Sequence, residues 1–278
     1  MPRRPAGRVE LRRWGGYAAA FAVAAVMVVP FLWMLSTALM TEFEVLQYPP
    51  PLIPASPRWR NFSEALGALP FGRFFINSFV VALCTVIGQV VTGALGGYAL
   101  ARFRFAGQGA VFALYLGALM VPGIVLLIPR FLLIDALGGV DTMAGLVSTE
   151  LVSLWGVFMM RQFFVTLPRE TEDAARIDGA GEWTIFWRIA VPLARPALAT
   201  FALFAFIDAW KAFLWPLVVT RSMELRTVEV GIASFHGLYY ANWPYQMAAA
   251  VTALVPVMVV FLATQKYFTR GIQLSGLR

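Results

Sequence analysis

Asp208 and Lys211 stand three residues apart in the otherwise apolar run Ile207–Val219, so on a helix they share one face. Ionisable side chains within a membrane layer are costly and are kept for pairing or for pathways. Two chemistries fit this spacing. The pair neutralises itself while packing on a neighbouring helix, or it flanks a polar path in which Trp210 and Trp215 offer flat faces to a sugar ring. Glu150, towards the end of another apolar run, reads as interfacial. As a proton relay, Asp208 or Glu150 would instead serve a gradient-driven transporter.

Enzymatic chemistry finds no set of residues to carry it. Gly-Lys never occurs, so no G-x-x-x-x-G-K-[ST] loop cradles phosphates, and any ATP must be bound by a partner; the chain itself calls for no cofactor. His236 is the single histidine and Cys84 the single cysteine. A Ser/His/Asp or Cys/His nucleophile, an intrachain disulfide and a His/Cys metal cluster are therefore not expected, and G-x-S-x-G is absent.

The longest polar interval in the second half of the chain is Leu167–Pro196. Pro168 suits a first helical turn, and Glu170, Glu172 and Asp173 place negative charge where a helix N-terminus favours it. Asp178-Gly179 supplies a stop, because glycine accepts the left-handed conformation of a helix C-cap. A second helix follows, with Ile185, Phe186 and Ile189 at helical spacing and Arg188 in its last turn, until Pro192 and Pro196 bend the chain. The spacing predicts helix, tight turn, helix at a membrane surface.

This segment resembles the cytoplasmic loop of the membrane subunits of binding-protein-dependent ATP-binding-cassette importers, E-A-A-x-x-D-G-A followed by F-x-x-I-x-x-P. It stands here as Asp173-Ala174-Ala175-Arg176-Ile177-Asp178-Gly179-Ala180, then Phe186, Ile189 and Pro192, with Asp173 in place of the usual glutamate. Ile207–Val219 is similar to the W-N-[DE]-F-L-W-P-L of the carbohydrate-importing branch, except that Lys211 and Ala212 replace the amide and the acid. Phe75-Ile76-Asn77-Ser78, Gly97–Arg102, Arg161–Phe164, Gly231–Phe235 and Gln265–Gly271 continue the likeness along nearly the whole chain, most like the second membrane subunit of the maltose-importer type.

The resemblance implies a coupling helix, with Glu172, Asp173, Ala174, Ala175, Asp178, Gly179 and Ala180 seated on an ATPase subunit. It also implies four kinds of partner: a second homologous membrane subunit, two cytoplasmic ATPase subunits, an extracytoplasmic solute-binding protein and membrane lipid. The equivalent of Arg221–Trp243 enters the binding protein's cleft in such importers, so Tyr239, Tyr240, Asn242 and Trp243 are candidate contacts there. An aromatic belt at the membrane interface is the competing reading of the same four residues. The substrate is expected to be a sugar or oligosaccharide, with glycerol 3-phosphate or a related phosphodiester as the alternative.

The elements that must position these residues follow from composition. The 278 residues are 60% hydrophobic and 13% charged, with a mean hydropathy of +0.73, which marks an integral membrane protein. Basic residues are spread between apolar runs rather than clustered on a soluble face, so the net charge of +7 reflects topology and not nucleic-acid binding. Residues 1–13 read as a basic cytoplasmic tail and 14–278 as one all-α polytopic membrane domain. Six transmembrane helices are expected, near 14–37, 74–100, 109–127, 143–164, 197–219 and 245–268, the third broken at Pro122-Gly123. A short helix is expected near 61–69, and Gly88, Gly93, Gly96 and Gly97 should let a helix approach the second span closely. Most Lys and Arg residues then fall on the side of the tail and of the 165–195 loop, which places both termini in the cytoplasm of a bacterial or archaeal inner-membrane protein.

Overall fold

A computed structural model of the chain describes the backbone of residues 6–237 and 241–275, and the side chains of Trp14, of residues 16–237 and of residues 241–265. Among the described residues there are helices and no strand, with one isolated antiparallel bridge between His236 and Ala241. The chain divides into two compact units, Met1–Ala68 with Ser234–Thr252 and Leu69–Ala233 with Ala253–Arg278.

The first unit holds α1 (Ala6–Ala38), α2 (Glu42–Leu46), α3 (Arg60–Ala68) and the opening turns of the helix Trp243–Ser275. In α1 the apolar stretch Gly16–Ala38 is long enough to cross a bilayer and buries none of its window inside the chain, so Phe21, Val26 and Met27 present their surface outward. The end of α1 is fastened by Asn61, which is 2% exposed and whose Nδ2 donates to the carbonyls of Ala38 and Met40 at 2.8 Å each. Thr41 opens α2 with a capping box: its hydroxyl accepts from the Glu44 N–H and Glu44 Oε2 accepts from the Thr41 N–H. The amides of Thr41 and Ala55 hold the Glu44 carboxyl below the usual glutamate range. The expected short helix is α3.

The second unit is built around α4 (Phe71–Arg102). The chain then folds α5 (Gln108–Leu119), a 3-10 turn at Gly123–Leu126 and α6 (Leu127–Ala136), with a 90° bend at the expected Pro122-Gly123 break. Next come α7 (Met143–Ser148), α8 (Leu154–Thr166), α9 (Glu170–Ile177), α10 (Glu182–Ile185), a π turn at Phe186–Ala190 and α11 (Val191–Leu193). After a 76° bend follow α12 (Arg195–Trp210), α13 (Leu214–Val219), α14 (Val228–Ala233) and α15, the helix Trp243–Ser275.

The glycines of α4 work as expected. A Cβ on Gly97 would lie 2.7 Å from both the Arg161 amide nitrogen and Met160 Cβ, so α4 and α8 touch backbone to backbone there. At Gly156 of α8 a Cβ would lie 2.0 Å from Cζ of Phe201 on α12, a ring 1% exposed that also presses on Gly93. Tyr98, Phe164, Phe186 and Phe201 are the large members of the core these contacts close.

Two expected spans are interrupted. The run near 143–164 divides because Ser153 accepts the Gly156 N–H at 3.0 Å and so starts a new helix, leaving α8 with 13 residues. The run near 197–219 divides at Lys211–Phe213, because Pro216 has no N–H for the Ala212 carbonyl and its ring excludes a continuous helix there. Three helices, Gly16–Ala38, Phe71–Arg102 and Trp243–Gln265, are long and apolar enough to cross a membrane, or five segments when each bent pair is taken as one crossing.

Candidate functional site

α9 carries the polar interval's first helix. Glu170, Glu172 and Asp173 lie in its first turn and Arg176 in its last. It ends in a Schellman motif: the Gly179 N–H donates to the Arg176 carbonyl at 3.0 Å and the Ala180 N–H to the Ala175 carbonyl at 2.9 Å. Gly179 sits at φ +85°, the left-handed region its type suits. Asp173, Ala174, Ile177, Asp178 and Gly179 are exposed, and Ala175 and Ala180 half-buried, so the small residues Ala174 and Gly179 lie on the outward face together with Asp173, Ile177 and Asp178.

Glu172 turns the other way. Its side chain is 2% exposed, and Oε1 accepts from Arg102 Nε at 2.9 Å at the end of α4. Arg102 Nη2 also donates to the Leu167 carbonyl at 2.9 Å. Arg176 clamps α9 to α10 from the outer side, with Nε and Nη2 donating to the two carboxylate oxygens of Glu182 at 2.7 and 3.1 Å and Nη1 to Asp173 at 2.7 Å. Hydrogen bonding to Glu182 pushes the Arg176 guanidinium pKa up, and the same bonds hold Glu182 below the ordinary glutamate range. Beside this network opens a cavity of about 300 Å³ lined by Leu95, Tyr98, Phe103, Trp183 and Phe186.

The candidate path residues are placed differently from one another. Trp210 is 2% exposed, donates its indole N–H to the Ala253 carbonyl at 3.1 Å and stacks on Phe206 at 5.6 Å. Trp215 is 6% exposed and donates to the Leu146 carbonyl at 3.2 Å. Both indole N–H groups are therefore taken up within the fold. No salt bridge joins Asp208 to Lys211 among the described residues; Lys211 caps the end of α12, and both side chains are exposed. Asp208, Thr85, Gln89, Glu150 and Trp215 line a cavity of about 70 Å³. Arg130, which sequence reasoning did not single out, pairs with Glu150 and lies 4.3 Å over the Trp215 ring.

The loop 221–233 is anchored on the opening turns of α4. Asn77 Nδ2 donates to the carbonyls of Glu224 and Arg226 at 2.7 and 3.0 Å, and Ser78 Oγ accepts from the Val228 N–H at 2.8 Å. Asp141 Oδ1 accepts from the amides of Arg221 and Ser222, which lower its pKa. In the first unit Asn242 is 9% exposed and its Oδ1 accepts from the Tyr245 N–H at 3.0 Å, the geometry of a helix N-cap. Trp243 sets its ring edge-on to His236 at 5.2 Å. Tyr239 and Tyr240 lie outside the described residues. No group of His, Cys, Asp or Glu suited to a metal ion occurs among the described residues.

Residues 89–274, which include α9, its glycine stop and the anchored loop, match the family model of the binding-protein-dependent transport system inner membrane component. The chain belongs to that family. This permease is 36% identical over 241 residues to the sn-glycerol-3-phosphate transport system permease protein UgpE of Yersinia pestis bv. Antiqua (strain Antiqua), covering 84% of this chain and 86% of the relative. It is 36% identical over 212 residues to the arabinooligosaccharides transport system permease protein AraQ of Bacillus subtilis (strain 168), covering 76% and 75%. Its fold resembles a chain of a bacterial ABC transporter involved in the import of alginate, with a TM-score of 0.77 at 23% identity over 96% of this chain and 100% of that one. The permease is thus an inner-membrane component of a transport system that works with a binding protein, and its relatives are transport subunits rather than enzymes.

Proposed function

We propose that this permease forms half of the translocation pathway of an ATP-driven importer for a sugar or oligosaccharide, and that α9 is its coupling helix. A second homologous membrane subunit completes the pathway, two cytoplasmic ATPase subunits receive α9, and an extracytoplasmic solute-binding protein delivers the substrate. One observation carries the coupling role: a short helix stopped by a left-handed glycine, with Ala174 and Gly179 outward, sits within the matched family region. Ala174 and Gly179 let the backbone approach a receiving cleft closely at those two positions, with Ile177, 87% exposed, as an apolar contact beside them. The sugar reading is supported by the AraQ relative, and the glycerol 3-phosphate reading by the UgpE relatives at the same identity.

Six crossings follow if α7 with α8 supplies the fourth and α12 with α13 the fifth, with both termini cytoplasmic; Arg102, Arg104, Arg169, Arg188 and Arg195 on the side of α9 support that orientation. Residues 14–278 then form one membrane domain behind the tail 1–13. ATP is bound by the partners, and the chain needs no cofactor of its own. The test is purification of the chain in detergent followed by ATPase assay of what accompanies it, for the native chain and for Ala175→Trp. An ATPase subunit and a second membrane subunit should accompany the native chain and be lost or uncoupled in the variant; a chain that purifies alone and still transports in vesicles would overturn the reading.

A further inference from the structure

We propose that Arg102 and Glu172 are positioning residues that join α9 to α4, so that a displacement imposed on α9 reaches α4 directly. The inference rests on the coupling reading above. Through the chain itself, α9 is tied only to its neighbours, to α8 by Leu167–Arg169 and to α10 by the turn at Gly179. The contact with α4 is made by side chains: Arg102 Nε to Glu172 Oε1 at 2.9 Å and Arg102 Nη2 to the Leu167 carbonyl at 2.9 Å. One guanidinium thus grips both α9 and the segment that leads into it.

Burial decides what this grip can do. The two side chains are 3% and 2% exposed, so water cannot take over either charge, and separating them would leave both unpaired in a dry site. The Arg176–Glu182 pair on the outer side is 36% and 43% exposed and can part and re-form at little cost. α9 therefore cannot lift or pivot independently of the last turn of α4. Beyond that turn, α4 is held to α8 at Gly97 and to α12 by the Phe201 ring at Gly93, so movement given to α4 is shared by the three helices. Neither residue of the pair is on the outward face of α9, and the pair acts without touching the ATPase.

The test is a double-mutant cycle in the assembled importer, reconstituted in vesicles with its ATPase subunits and binding protein. Arg102→Met, Glu172→Met and the double variant are compared with the native chain for solute moved per ATP hydrolysed, for stimulation of ATPase activity by the binding protein, and for the amount of ATPase subunit that co-purifies. Each single variant should keep its ATPase subunits yet lose about tenfold or more in solute per ATP, and the double should be no worse than the poorer single, because the two residues form one joint. Single variants with the native ratio, or losses that multiply in the double, would overturn the proposal. Glu172→Gln, which keeps the acceptor for Arg102 Nε, serves if the methionine variants fail to insert; it should still lower the ratio, and a native ratio overturns the joint. A native chain that brings down no ATPase subunit sinks the coupling reading itself, whereas coupling that survives loss of the pair sinks the joint alone.

Discussion

Arg102 and Glu172, 70 positions apart in sequence, meet at 2.9 Å in a site where neither side chain is more than 3% exposed. The charge chain runs on from Glu172 to Arg176 at 3.8 Å and from Arg176 to Glu182, so α4, α9 and α10 are linked by alternating charges from a buried end to an exposed one. The exposed end adjusts while the buried end holds.

Gly179 has open space around its Cα, so a substitution there is opposed by its φ of +85° and not by a clash. Gly179→Val should destabilise the turn by roughly 1–2 kcal/mol and Gly179→Asn by less, since asparagine tolerates this region. Transport assays at matched membrane levels should rank native, Asn, Val; equal activities would remove the turn from the mechanism.

Gly156→Ala should lower thermal stability in detergent by about 1–3 kcal/mol, because the new methyl meets the Phe201 ring. Adding Phe201→Leu should recover part of the loss. No recovery would mean that the two positions do not share one packing site.

Trp215→Phe removes the indole donor to the Leu146 carbonyl and should cost about 1 kcal/mol of stability while leaving the order of preference among substrates unchanged. A changed preference in a transport competition assay would place Trp215 on the substrate path.

Glu182 has its pKa depressed by Arg176, so its support for the α9–α10 turn is complete above the ordinary glutamate value of about 4.3 and is lost as pH falls through the lower folded value. Arg176, raised, stays charged throughout. Hydrogen exchange across 178–182 should be flat with pH above that range, after correction for intrinsic rates, and accelerate below it; Glu182→Gln should abolish the step.

Asn77→Ala should release the loop 221–233, since it deletes two donations to the Glu224 and Arg226 carbonyls, and hydrogen exchange there should rise by about tenfold or more. Unchanged exchange would assign the loop's order to its other anchors, Ser78 and Asp141 among them.

What could be read before folding was what short stretches of chain decide. The crossing segments showed in hydropathy, the stop at Asp178-Gly179 in a local dipeptide, and the close approach of helices in the glycines of α4. The interruptions were harder. Ser153 starts α8 with a single hydroxyl inside an apolar run, and Pro216 breaks a stretch that hydropathy reads as continuous. The site was legible in part: α9 showed itself, but Glu172 looked like one more first-turn acid because its partner lies 70 residues away. Trp210 and Trp215 were ambiguous for the same reason, since the carbonyls that accept their N–H groups come from distant segments.

At Asn77 one nitrogen serves two carbonyl oxygens, and the side chain is 8% exposed. Hydrolysis of that amide to a carboxylate, an exchange of nitrogen for oxygen at a single atom, would turn both attractions into repulsions. Chemical ageing at this position would therefore free the loop 221–233 without any change in the gene.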